Sequence, residues 1–107
     1  MVFETLANDL KALADPTRLK IVALLKLRDF CVCELVPIFG ISQPAISKHL
    51  NRLKVSGFVR EMRRGQWVFY SLNQEKLASI GTALQSLPDL SEELESLKAR
   101  GLLVNCD

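Results

Sequence analysis

The chain has 107 residues, enough for one domain with a small core, and 49% of them are apolar. Its 14 basic and 12 acidic residues leave a net charge of only +2, so bulk charge does not mark it as a nucleic-acid binder, and no apolar stretch is long enough to cross a membrane. Three cysteines, Cys31, Cys33 and Cys106, without a signal-peptide pattern after Met1, speak against a disulfide framework. They point to a soluble protein of a reducing cytoplasm with thiols available as ligands.

Phe3, Leu6, Leu10 and Leu13 recur at helical spacing and predict a first amphipathic helix over 3–13. Asp15 followed by Pro16 reads as an N-cap and a proline at the first helical position. The helix from there to about residue 27 carries Leu19, Ile21, Val22, Leu24 and Leu25, apolar on most sides, and should form the buried centre. Leu35, Ile38 and Phe39 make a short helical face that Gly40 can stop. Ser42 can cap the next helix, 42–54, which turns Ile46, Leu50 and Leu53 inward and leaves Gln43, Ser47, Lys48, Asn51 and Arg52 mainly outward. Segments 58–62 and 67–72 are rich in β-formers, with Arg63-Arg64-Gly65-Gln66 as a hairpin tip. Gln74 opens another helix with Leu77, Ile80, Leu84 and Leu87, interrupted at Pro88. A last short helix carries Leu94 and Leu97, and a mobile tail, 101–107, ends in Cys106-Asp107.

This order (α-α-α-α-β-β-α-α, mainly α with a β-hairpin) describes a single winged helix-turn-helix domain over 1–107, reading DNA with 42–54 and carrying a wing at 58–72. Charge placement agrees. Lys48, Arg52, Lys54, Arg60, Arg63 and Arg64 crowd one stretch whose single acid is Glu61. The second helix of such a pair presents its N-terminal half to base edges. Ser42, Gln43, Ser47 and Lys48 fall there, with Arg52 further along, and Arg63 and Arg64 are placed to contact the backbone or minor groove. His49, the sole histidine, is either a base contact or a half-buried residue packing against the wing. Its neighbour Leu50 on the inner face favours packing.

Three motifs together make the chain resemble the ArsR/SmtB family of metal-responsive repressors over nearly its whole length. They are Leu13-Ala14-Asp15-Pro16-Thr17-Arg18-Leu19, Cys31-Val32-Cys33-Glu34-Leu35, and Ser42-Gln43-Pro44-Ala45-Ile46-Ser47-Lys48-His49-Leu50. The resemblance implies a homodimer that binds a palindromic double-stranded operator and releases it when an inducer binds. It also implies dimer contacts through 3–13 and 74–87. A thiol enzyme or an arsenical carrier is the contrasting reading, and it would need an acid or base near the thiols, which this pattern does not offer.

Two thiolates one residue apart form a small soft chelate, suited to thiophilic ions. Arsenic(III) or antimony(III) is the expected inducer, with no organic cofactor. Residues i and i+2 of a regular helix project about 200° apart, so one ion cannot take both from a helix. Proline costs about 3 kcal/mol in a helix interior but is tolerated in a first turn, so Pro37 predicts a helix starting near Cys33, with Cys31 in a non-helical approach. Some arsenic-sensing relatives carry a third cysteine where this chain has Val36, which leaves Cys106 as a candidate third ligand. Cadmium and lead sensors of the family add a cysteine from an N-terminal extension. Zinc and nickel sensors use His and carboxylates on the dimer helix, where 74–87 offers only Glu75. The alternatives are cadmium or lead sensing on the same fold, or thiol-oxidation sensing with Cys31 or Cys33 pairing to Cys106.

Overall fold

The computed structural model describes residues 2–103. In chain order the elements are α1 (Val2–Leu13), α2 (Pro16–Leu25), β1 (Phe30–Cys31), α3 (Val32–Phe39), α4 (Gln43–Val55), β2 (Val59–Arg64), β3 (Trp67–Leu72), α5 (Gln74–Gln85) and α6 (Ser91–Ala99). Helices α2 and α4 each begin with a side-chain cap. Asp15 accepts from the Arg18 amide at 3.0 Å, and Ser42 accepts from the Ala45 amide at 3.3 Å. Proline follows in the first turn of both helices.

The core sits where α2, α3, α4 and the start of β2 meet. Ile21, Leu35, Ile46, Leu50, Leu53 and Phe58 are its largest fully buried side chains. Burial of each such side chain is worth about 1.5–3 kcal/mol, so the reader helix α4 is held chiefly by its own Ile46, Leu50 and Leu53. In contrast α6 buries no residue.

The sheet has three antiparallel strands in the order β1-β3-β2. The sequence predicts only the hairpin. The added strand pairs Phe30 with Tyr70 and Cys31 with Phe69 along the free edge of β3. Two residues carry no period of their own, so this pairing is visible only once the partner edge is in place. The hairpin is also tighter than expected. Arg64 pairs with Trp67, so Arg63 and Arg64 belong to β2 and the turn is Gly65-Gln66 alone. Gly65 at φ 62 supplies the positive φ that a two-residue hairpin turn demands. The helix opened by Gln74 stops at Gln85, two residues short of Leu87.

Helix α3 starts at Val32, one residue before Cys33, which puts Pro37 sixth in the helix and not in or beside the first turn. The ring there removes the amide that would bond the Cys33 carbonyl. Gly40, at φ 67, ends the helix in the left-handed conformation and donates to the Val36 carbonyl at 2.8 Å.

Candidate nucleic-acid interface and thiol site

Helix α4 turns its buried face to α2 and α3 and leaves Pro44, Ser47, Lys48 and Asn51 exposed on the other side. Gln43, its first residue, is exposed as well. Ser42 is occupied as the cap. The wing presents Arg60 and Arg63 to solvent. Arg64 is also exposed but is drawn back, with Nη2 3.3 Å from Asp29 and the guanidinium over the Phe69 ring. Arg52 is engaged by the protein itself: Nη1 donates to Ser56 Oγ at 2.7 Å and Nη2 to the Asn8 carbonyl at 3.4 Å. Lys54 meets Glu61 at 2.6 Å across α4 and β2, and this partner raises the lysine's pKa.

His49 is half-buried, as its position beside Leu50 suggests, but it packs against α2 and not against the wing. Its Nδ1 lies 3.3 Å from Arg18 Nη1 and 3.9 Å from Asp15 Oδ2. The Arg18 amide, and secondarily the Arg18 and His49 charges, hold the Asp15 carboxyl below the ordinary carboxylate range against the opposing effect of burial.

Cys31 is the N-cap of α3, in extended backbone (φ −91, ψ 162), so it stands outside the helix as its spacing from Cys33 requires. Cys33 lies in the first turn. Their Cα atoms are 5.5 Å apart and their sulfurs are joined as a disulfide. The alternative partner, Cys106, lies outside the described residues. Cys31 is buried and Cys33 exposed, so one sulfur is anchored and the other is reachable.

Both cysteines line a cleft of about 450 Å³ together with Gln43 from the reader helix and Gln66, Trp67 and Tyr70 from the wing. Burial raises the Tyr70 pKa there. The thiol pair therefore shares a cleft with α4 and the hairpin.

Glu34 organises the thiol segment and was not singled out by the sequence reading. Its Oε1 accepts from the Cys31 amide at 2.9 Å and its Oε2 meets Arg28 at 2.8 Å. The Cys31 amide first, then Arg28, hold this carboxyl below its ordinary value. The signal was present as a capping-box spacing: an acid three residues after the N-cap. It is concealed because the capping residue is a cysteine.

A helix pair with a fully packed reader, followed by a basic two-stranded wing, is the geometry of a winged helix-turn-helix. Residues 15–61 match the family described as "Bacterial regulatory protein, arsR family". Among curated relatives, the chain is 38% identical over 84 residues to the arsenic resistance transcriptional regulator ArsR1 of Pseudomonas putida, spanning 78% of this chain and 66% of that regulator's length. It is 37% identical over 84 residues to the arsenical resistance operon repressor of Staphylococcus xylosus, covering 78% of this chain and 81% of the relative. Among solved structures, an ArsR-like transcriptional regulator from Rhodococcus sp. RHA1 superposes with a TM-score of 0.73 at 29% identity, covering 91% of this chain and 90% of that one. The chain belongs to the ArsR family of helix-turn-helix transcriptional regulators, and its family role is regulation, not enzymatic catalysis. Among the described residues no helix is long and apolar enough to cross a membrane.

Proposed function

We propose that this chain is a cytoplasmic repressor that binds operator DNA as a homodimer and lets go when arsenic(III) or antimony(III) bridges the thiolates of Cys31 and Cys33. The observation that carries the reading is the convergence of the two sulfurs in a cleft shared by the reader helix and the wing. The arsenical-resistance names of two relatives support the choice of inducer. Bound, such an ion supplies a soft centre for two thiolates. The disulfide must first be reduced, because the thiolate is the ligand.

On the DNA side, Gln43, Ser47 and Lys48 read base edges while Arg63 and Arg64 hold the backbone. Ser42 fixes the start of the reader. Exposed apolar residues on α1 (Val2, Phe3, Leu10) and α5 (Leu84) support dimer contacts there. Val2 lines a groove of about 370 Å³ between the two helices, together with Leu6, Ile80 and Ala83.

The route from thiols to DNA runs both ways out of Cys31. Its backbone pairs with Phe69 of the wing strand, and the same residue caps α3. Drawing Cys31 and Cys33 onto one centre fixes their separation and so loads the joint between wing and α3. The Arg64–Asp29 bridge ties the wing to this segment a second time. Coupling of about 1–3 kcal/mol is typical of allosteric release.

The test uses DNA selected by the protein from a random duplex library, with binding followed by fluorescence anisotropy under reductant. Arsenite should release wild type, while Cys31→Ser and Cys33→Ser bind DNA but stay bound. A peroxide arm separates metalloid sensing from oxidation sensing, and cadmium and lead arms test the other soft ions. Arsenite-driven release of both single variants would overturn the two-thiolate site.

A further inference from the structure

The Asp15–Arg18 motif takes no part in DNA reading or thiol chemistry as described so far, yet it lies at a three-helix junction. Arg18, in the first turn of α2, donates Nε to the Ala12 carbonyl at 2.6 Å and Nη2 to the Lys11 carbonyl at 3.2 Å. These carbonyls belong to the last turn of α1, where intrahelical donors run out. The third arm of the same guanidinium, Nη1, reaches His49 Nδ1 on α4 at 3.3 Å.

One turn along α4 from His49, Arg52 reaches the Asn8 carbonyl of α1. The reader is thus fastened to α1 at two levels by planar, multi-donor groups. Such forks fix orientation as well as distance, which a lysine cannot do. Apolar contact of α4 with α2 and α3 holds the reader in the core, but apolar packing is non-directional.

We propose that Arg18 and Arg52 are positioning residues that lock the reader helix to α1 and so set the separation of the two readers in the dimer. The inference rests on the reading of α1 as a dimer helix. It assigns Arg52 to this strut in place of a DNA contact. The two readers must address half-sites about one helical turn apart, so any slack between α1 and α4 enters the half-site separation directly.

The experiment repeats the random-library selection with wild type, Arg18→Gln and Arg52→Ala, and measures affinity for the selected palindrome with its half-site separation changed by one base pair either way. Melting temperature and sedimentation confirm that each variant is a folded dimer. Arg52→Ala keeps the test open if Arg18→Gln does not fold. Wild type should lose about tenfold or more on changing the separation. The variants should lose less than threefold (on the order of 0.6 kcal/mol) and select a mixture of separations. An unchanged separation preference with uniformly weaker binding would overturn the proposal, and a reduced salt slope with that preference would reassign the arginines to phosphate contact. If wild type selects DNA with no paired half-sites, the dimer reading fails and this inference with it. If it selects paired half-sites and the variants keep the preference, only the inference fails.

Discussion

Replacing Gly40 by alanine isolates the turn between α3 and α4. At φ 67 the residue is left-handed, and a Cβ built there meets nothing within 4 Å. The cost is therefore backbone strain without a clash, about 1–2 kcal/mol for an L-residue in this region. Stiffening the unfolded chain returns about 0.4–1 kcal/mol. The net loss is about 1 kcal/mol, which lowers the melting temperature by roughly 4–8 °C in a domain of 60–100 residues. The assay is thermal unfolding followed by circular dichroism at one fixed protein concentration, since a dimer's midpoint moves with concentration. Asparagine tolerates the left-handed region better than alanine, so Gly40→Asn should fall between Gly40→Ala and wild type. If the turn relaxes to relieve strain, the reader shifts and operator affinity falls further than the lost stability accounts for. An alanine variant as stable as wild type, or less damaged than the asparagine variant, would refute the reasoning.

Glu34 gives a pH signature. Its folded pKa is depressed below the ordinary value near 4.5, so its contribution is present above that value and is lost as pH falls through the folded pKa. Melting temperature measured from pH 3 to pH 6 should fall less steeply on the acid side in Glu34→Gln than in wild type; parallel curves would show that the Cys31 amide contact adds nothing. Lys48→Ala should weaken binding to the selected operator by about tenfold. If its affinity drops equally on all sequences and the salt slope falls by about one, Lys48 holds phosphate and does not read bases.

Much of this architecture is legible in the residues because local signals and packing agree. Asp15-Pro16 and Ser42 mark helix starts in sequence and in space, and the Ile46, Leu50, Leu53 spacing names the face that is buried. The misses share one cause, dependence on a partner far along the chain. β1 exists through the free edge of β3, 38 residues or more away. His49 is placed by Arg18, 31 residues earlier. Arg52 meets the Asn8 carbonyl, 44 residues back in sequence and close in space. Pattern reading finds the side chain's face; it does not find what stands opposite.

The position of the thiols follows from a conflict between those levels. Helical spacing would hold Cys31 and Cys33 apart, yet the proposed sensing role needs both on one centre. The chain resolves this by making Cys31 a strand residue and an N-cap at once, with its amide satisfied by Glu34 and not by the helix. Pro37 then withholds the one amide that would tie the Cys33 carbonyl at the helical position. The first turn of α3 thereby lacks one helical hydrogen bond, at the Cys33 carbonyl, and the proposed thiol site sits in that turn. Conformational switches are drawn from such low-stability segments. The rest of the reader, capped by Ser42 and packed by three fully buried side chains, has no comparable slack. Under the proposed sensing role a change at the thiols acts first on α3 and the wing, because Cys31 caps the one and pairs with the other.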